Sequence, residues 1–120
     1  MLSPGILTAI LDSLKAPILL ADTQHVTCYM NAAAIAHYEG GESLIGRSLL
    51  ECHNEVSQQA MRRILAAMQH EGLVEECITD EPGQKIYMRS VRDGAGAVLG
   101  YYERYEPEPG ERPSGEAAAP

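Results

Sequence analysis

The chain has 120 residues, a length that fits one domain with a single core and one enclosed pocket. Its formal net charge of −8 argues against nucleic-acid binding, because an acidic surface repels phosphate backbones. No apolar run approaches the roughly 20 residues of a membrane span, and the first residues lack the basic start of a signal peptide. We therefore expect a cytoplasmic protein with neither nucleic-acid nor membrane partners.

The first predicted element is a helix within residues 1–15. Ser3 or Pro4 can begin it, since Ser is a good N-cap and Pro is tolerated in a first turn. Apolar residues then recur at helical spacing, at Ile6, Leu7, Ile10, Leu11 and Leu14. A short helix with so wide an apolar arc has one face for its own domain and one for a partner, so we predict a homodimer contact. The alternative is a helix packed only on its own sheet.

Short strands and helices fill the middle of the chain. The pattern predicts strands over 18–21 and 26–30, joined as a hairpin, then helices over 32–38 and 43–50 and a longer helix over 54–70. Asn31 and Asn54 are the expected N-caps. Gly72 is expected to end the longest helix in a left-handed conformation.

The second half of the ordered chain is predicted to be an antiparallel meander. Strand-like runs cover 73–79, 85–91 and 98–105, with turn signals between them. From residue 107 to residue 120 the chain is rich in Pro, Gly, Glu and Ala and has no apolar periodicity, so we expect a disordered tail.

This order of elements resembles the PAS fold. The matching stretches are Pro17–Asp22, Val26–Asn31, Leu44–Leu49, Val91–Asp93, and Gly96 with Leu99-Gly100. The resemblance implies an α+β domain over residues 16–106, in which helices cover one face of a five-stranded antiparallel sheet, with an N-terminal flanking helix. PAS domains are sensory and interaction modules, so it also implies a bacterial signalling role and a possible signalling partner protein.

A narrower resemblance centres on Cys52-His53. It is to PAS domains that follow hemerythrin-like domains in anaerobic bacteria and carry Cys-His-Pro-Pro. Here Asn54-Glu55 stand in place of the prolines, and residues 1–15, which come before the PAS-like stretch, do not resemble a hemerythrin-like domain. Two interpretations of the chain are open, a complete PAS-only protein or a part cut from a longer one.

The PAS resemblance implies a pocket between the sheet and the helices, and haem b is the first cofactor hypothesis. His53 would be the axial ligand of the haem iron, with Cys52 as a second possible donor, in a sensor of a diatomic gas or redox state. The predicted lining is Ile45, Leu49, Leu50, Met61, Ile64, Leu65, Met68, Ile78, Met88 and Tyr102. Arg89 or Arg92 would meet the propionates or be solvated on the sheet.

Each feature of this hypothesis has a simpler alternative. The His53 imidazole would cap or hydrogen-bond backbone at a helix start, and the Cys52 thiol would pack inward. His25 and His70 are expected to be solvated, and His37 is expected on the polar side of its helix. Light-sensing flavin chemistry is not expected, because no stretch resembles the Asn-Cys-Arg-Phe-Leu-Gln setting of its cysteine.

The other functions considered are a cofactor-free interaction or homodimerisation module and a sensor of a small metabolite. An enzyme is not expected, because the sequence has no nucleophile elbow, phosphate-binding loop or zinc-protease motif.

Overall fold

The computed structural model describes residues 2–106, and the predicted tail over 107–120 lies outside the described residues. In chain order the elements are α1 (Pro4–Ser13), β1 (Ile18–Asp22), β2 (Thr27–Met30), α2 (Ala32–His37), the 3-10 helices Gly41–Leu44 and Leu49–Cys52, α3 (Glu55–Glu71), β3 (Glu75–Glu81), β4 (Gln84–Arg92) and β5 (Val98–Glu106). No helix in the described range is long and apolar enough to cross a membrane.

The strands form one antiparallel sheet in the order β2-β1-β5-β4-β3. β1 and β2 are the predicted hairpin, and β3, β4 and β5 are the predicted meander. β5 pairs with β1 on one side and with β4 on the other, so it is the central strand of the sheet. The predicted α+β class with a five-stranded antiparallel sheet is confirmed.

Helices α2 and α3 cover one face of this sheet. The buried core consists of Leu19, Ala21, Met30, Ala34, Leu49, Met61, Ile64, Leu65, Met68, Met88 and Tyr101. The four buried residues of α3 follow the i, i+3, i+4, i+7 spacing of a helix face. Val56, near the start of the same helix, is 77% exposed. It precedes Met61 by five residues, or about 140° of rotation around the helix.

The capping predictions are confirmed. The side chains of Ser3, Asn31 and Asn54 accept hydrogen bonds from the backbone N–H three residues on, at 3.2, 2.9 and 2.9 Å. Gly72 ends α3 with φ 73°. A left-handed residue at this place is most easily a glycine, because it has no Cβ.

The segment between α2 and α3 corrects the prediction of a helical turn over 43–50. Gly46 has φ 88° and its N–H donates to the Thr27 carbonyl at 2.7 Å. The Thr27 N–H donates in return to the Arg47 carbonyl at 3.0 Å. The middle of the segment is therefore a turn held beside the start of β2, and only its two ends are 3-10 helix.

Helix α1 is attached by its C-terminal end. The Asp12 carboxylate accepts hydrogen bonds from the Tyr29 hydroxyl at 2.7 Å and from the Ala32 N–H at 3.1 Å. Its outward aliphatic residues, Leu2, Ile6, Leu7, Ile10 and Leu14, are 43–56% exposed. The predicted flanking helix is thus confirmed as an element.

Candidate functional site

His53 lies between two helices and faces the space beneath them. It follows the 3-10 helix Leu49–Cys52 and precedes Asn54, the N-cap of α3. Its Nδ1 lies 2.8 Å from the Leu49 carbonyl oxygen. Because a carbonyl can only accept, Nδ1–H donates, and this fixes the tautomer with the Nε2 lone pair available in the neutral ring.

The hydrogen bond from His53 to Leu49 agrees in part with the alternative that the imidazole caps or bonds backbone at a helix start. The imidazole does bond backbone, at the end of the preceding 3-10 helix, while Asn54 caps α3. Cys52 is exposed, which does not agree with a thiol packed in the core, although the residue borders the cavity described below. Cys28 is also exposed and Cys77 is half-buried, and all three are free thiols.

Glu103 is the residue of this region that sequence reasoning missed. It lies in the middle of β5, on the same face as Tyr101, and is only 4% exposed. The Tyr38 hydroxyl donates to its Oε1 at 3.4 Å, a long contact, and Oε2 has no hydrogen-bond partner among the described residues. Burial raises the pKa of Glu103, while the charge of His53 and the Tyr38 hydroxyl lower it by less.

Glu103 and His53 line one cavity of about 450 Å³ between the sheet and the helices. Its aliphatic wall is Leu19, Leu44, Leu49, Ile78 and Ile86. Its polar lining is Tyr38, Glu39, Cys52, His53, Thr79 and Glu103. A second cavity of about 210 Å³ shares His53, Ile78 and Thr79 with it, so the imidazole lies between the two. The volume of the larger cavity suits a small organic ligand.

Ten of the twelve predicted pocket residues fall into three groups. Four line the larger cavity: Leu49, Cys52, His53 and Ile78. Five others are in the neighbouring core, where Met61 also borders the smaller cavity: Met61, Ile64, Leu65, Met68 and Met88. Leu50 is half-buried against that core. Contact of any of them with a ligand stays a prediction.

Two of the predicted lining positions are corrected. Tyr102 lies between Tyr101 and Glu103 and therefore faces the opposite side of the sheet. There it lines a separate cavity of about 380 Å³ under α1, with Leu11 and Leu14. Ile45 is 42% exposed, because it precedes the left-handed Gly46 at the outer turn.

His25 is buried, which corrects the expectation that it is solvated. It is 7% exposed and has φ 64°, and its Nδ1 lies 2.8 Å from the Tyr101 hydroxyl. Burial lowers the pKa of His25, and the charge of Arg62 lowers it further, against an opposing effect of Asp22. His25 therefore links the hairpin turn to β5 and does not line the cavity. His37 and His70 are exposed, as expected.

The two arginines proposed for haem propionates are occupied elsewhere. The Arg92 guanidinium donates to the Met68 and Leu73 carbonyls at 2.9 and 3.0 Å, which ties β4 to the end of α3. Arg89 lies 3.6 Å from Glu75. Neither lines the cavity that His53 and Glu103 share.

The cavity therefore matches haem b in one respect and not in another. His53 offers an oriented imidazole, which suits an axial ligand. The charges do not suit the propionates, because the described lining contains two glutamates and no Arg or Lys. No cluster of three or more His, Cys, Asp or Glu side chains suited to a metal ion exists within residues 2–106.

Comparison with known proteins identifies the fold. No family model and no curated protein matches the sequence. The C-terminal domain of a Streptococcus mutans protein matches with a TM-score of 0.73 and 18% identity, over 88% of this chain and 85% of that one. The PAS domain of Bordetella pertussis BvgS matches at 0.65 and 13%, over 87% and 85%. A PAS domain from Colwellia psychrerythraea matches at 0.62 and 13%, over 87% and 95%.

These structural matches show that the chain has the PAS fold. The element order, the sheet and the flanking helix agree with the resemblance drawn from residues 16–106 of the sequence. The narrower resemblance, to PAS domains with Cys-His-Pro-Pro, stays a prediction.

Proposed function

We propose that the protein is a sensory module that binds a small molecule in the cavity shared by His53 and Glu103. The observation that carries this proposal is the buried Glu103 Oε2, which has no partner among the described residues. A buried oxygen without a hydrogen bond costs roughly 1–3 kcal/mol, and a ligand that supplies the bond removes that cost. The other such oxygen in the described range, Thr27 Oγ1, lies outside this cavity.

The position of Glu103 offers a route from the cavity to the surface. It belongs to β5, the strand paired with both β1 and β4. The adjacent residue Tyr102 lines the opposite cavity, beneath α1. A ligand that prefers one arrangement of β5 would thereby favour one packing of α1 on the sheet, a shift between two existing populations. A homodimer through α1, or a signalling partner in the cytoplasm, would read that shift.

Haem sensing is the second candidate, and the hydrogen bond from His53 Nδ1 to Leu49 favours it. That bond orients the imidazole and leaves Nε2 for a ligand. Because the described lining contains two glutamates and no Arg or Lys, we rank haem after an uncharged or cationic small molecule.

The test is a ligand screen that includes haemin as one member. Nitrogen-15 NMR spectra are recorded with neutral, cationic and anionic fragments at about 1 mM, a concentration that detects weak cavity ligands. We expect binders that shift the resonances of residues around His53 and Glu103. Ile78→Trp, which fills the cavity with an indole, should abolish these shifts, whereas Val74→Trp, at a 47% exposed position, should preserve them.

The outcomes separate the two candidates. Haem sensing would become the favoured function if haemin gives a Soret band that His53→Ala weakens. The exposed control variant, His37→Ala, should preserve that band. Fragment shifts without such a band support the small-molecule sensor alone. If no fragment binds, or if shifts lie away from the cavity and persist in Ile78→Trp, the sensory proposal is wrong.

A further inference from the structure

The charge around the cavity limits what can bind there. Glu39 lies at its exposed rim and Glu103 lies at its buried end. No Arg or Lys side chain is among the described residues that line it. An anionic ligand would therefore meet two carboxyl groups with no guanidinium or ammonium group among the described lining residues, while a cationic ligand would be attracted.

The hydrogen-bonding groups of the cavity also favour a cationic ligand. Glu103 Oε2 has no partner among the described residues, and once the group is ionised both of its oxygens can only accept hydrogen bonds. With Nδ1–H donated to Leu49, the neutral His53 ring can only accept at Nε2. A ligand that satisfies both groups must donate more than one hydrogen bond. A charged N–H donor makes the stronger bond to a carboxylate and also stabilises it in its ionised form.

The apolar side chains of the cavity indicate the kind of hydrocarbon group that the ligand carries. Five aliphatic side chains surround the polar end, and Tyr38 and the His53 imidazole are the aromatic rings of the described lining. This is not the aromatic cage that recognises a quaternary ammonium group. A quaternary nitrogen also has no N–H to donate. A primary or secondary ammonium on an aliphatic body satisfies both the walls and the acceptors.

We propose that the cavity binds a small aliphatic amine in its protonated form, with the ammonium group donating to Glu103 and the hydrocarbon packed against Leu19, Leu49 and Ile78. This inference rests on the proposed function, since it names the ligand class of the same cavity. Tyr38 positions the carboxyl group through its bond to Oε1. Thr79 and Glu39 remain at the lining for further polar groups of the ligand.

The test compares three probes with the same hydrocarbon body. Cyclohexylmethylamine, cyclohexylmethanol and cyclohexanecarboxylate are titrated into the full chain at pH 7.5 and followed by NMR and calorimetry. We expect the amine to bind at the cavity at least about tenfold more tightly than the alcohol or the carboxylate, because only it forms a charge-assisted bond. Glu103→Gln keeps the shape of the side chain and should weaken amine binding at least about tenfold, with little change for the alcohol.

The outcomes distinguish the amine proposal from the sensory proposal on which it rests. Tighter binding of the alcohol or the carboxylate at the cavity would overturn the amine and leave the sensory function standing. Equal amine affinity in Glu103→Gln would overturn the role of that carboxylate. If neither these probes nor the fragment screen finds a cavity ligand, both proposals fail. The ranking of the three probes on the unaltered protein needs no variant, so it holds even if Glu103→Gln does not fold.

Discussion

A single buried carboxyl group, that of Glu103, dominates the chemistry of the cavity. It is 4% exposed and lies among aliphatic side chains, and its one hydrogen bond within the described residues is the long contact from Tyr38. Burial raises its pKa because the low-dielectric surroundings disfavour the charged form. The folded protein therefore keeps this proton at pH values where the unfolded chain, with an ordinary glutamate, has released it.

Glu103→Gln should reveal this as a difference in the pH dependence of stability. Between the ordinary glutamate pKa and the raised pKa of the folded state, the folded protein binds more protons than the unfolded chain, so its stability falls as pH rises. The glutamine variant lacks this decline. We expect the free energy of unfolding of Glu103→Gln, relative to the unaltered protein, to increase with pH and then level off.

Urea unfolding between acid and neutral pH measures that difference. Glu42→Gln, at an exposed position in the first 3-10 helix, is the matched control, because it alters no buried group. A difference that stays constant with pH, or that grows toward acid, would contradict the buried-acid interpretation of Glu103.

Among the secondary-structure elements, the side chain of Asn31 joins three. Its Oδ1 accepts from the Ile18 N–H of β1 at 3.0 Å and from the Ala34 N–H of α2 at 2.9 Å. Its Nδ2 donates to the Leu11 and Ala16 carbonyls at 2.9 and 3.0 Å, at the end of α1 and beyond it. With four bonds the amide is fully satisfied, and Asn31 is completely buried.

Asn31→Asp should destabilise the protein by about 3 kcal/mol or more. The change replaces the amide donor with an oxygen that faces the Leu11 and Ala16 carbonyls, so two partly buried acceptors lose their partner and the completely buried side chain gains a charge. Asn54→Asp is the matched control, since Asn54 is an exposed N-cap and Asp caps equally well. Urea unfolding measures both. A loss below about 0.5 kcal/mol for Asn31→Asp would show that the four bonds do not hold the elements together.

At the scale of the whole molecule, α1 leaves an apolar surface exposed. The helix contains no buried residue, although its last turn is anchored through Asp12. Ile6, Leu7 and Ile10 are each about half exposed. Aliphatic residues grouped on one helix indicate a protein partner, and a second copy of the same helix offers the complementary surface. The homodimer stays a proposal on this ground.

Replacing Ile6 and Ile10 together by Asp should convert the proposed dimer into a monomer. Two charges on each copy would face the apolar contact without partners, which disfavours association. Sedimentation velocity over a range of protein concentrations measures the change. Val56→Asp, at a 77% exposed position on α3, should leave the dimer intact. The proposal is wrong if the unaltered protein is a monomer throughout that range, or if the double variant stays dimeric.

The order of the elements and part of the cavity were predictable because they rest on short-range chemistry. Asn31 and Asn54 cap helices wherever those helices pack, and Gly72 ends α3 for a local reason. The alternation of the strand runs likewise predicted the hairpin and the meander. His53 and Ile78 were placed correctly beside a cavity because the resemblance to the PAS fold supplied the topology.

The sequence by itself thus predicted most of the elements and their order, the hairpin and the meander, since each depends on residues close together in the chain. The joining of the strands into one five-stranded sheet came from the resemblance to the PAS fold. Only the tertiary structure decided which face each residue of β5 presents. The register of β5 against β1 and β4 buries Glu103 beneath the helices and turns Tyr102 toward α1. The tertiary structure also decided that His25 is buried against Tyr101, a partner 76 residues away. Such contacts depend on long-range strand pairing, where a shift of one residue exchanges the two faces.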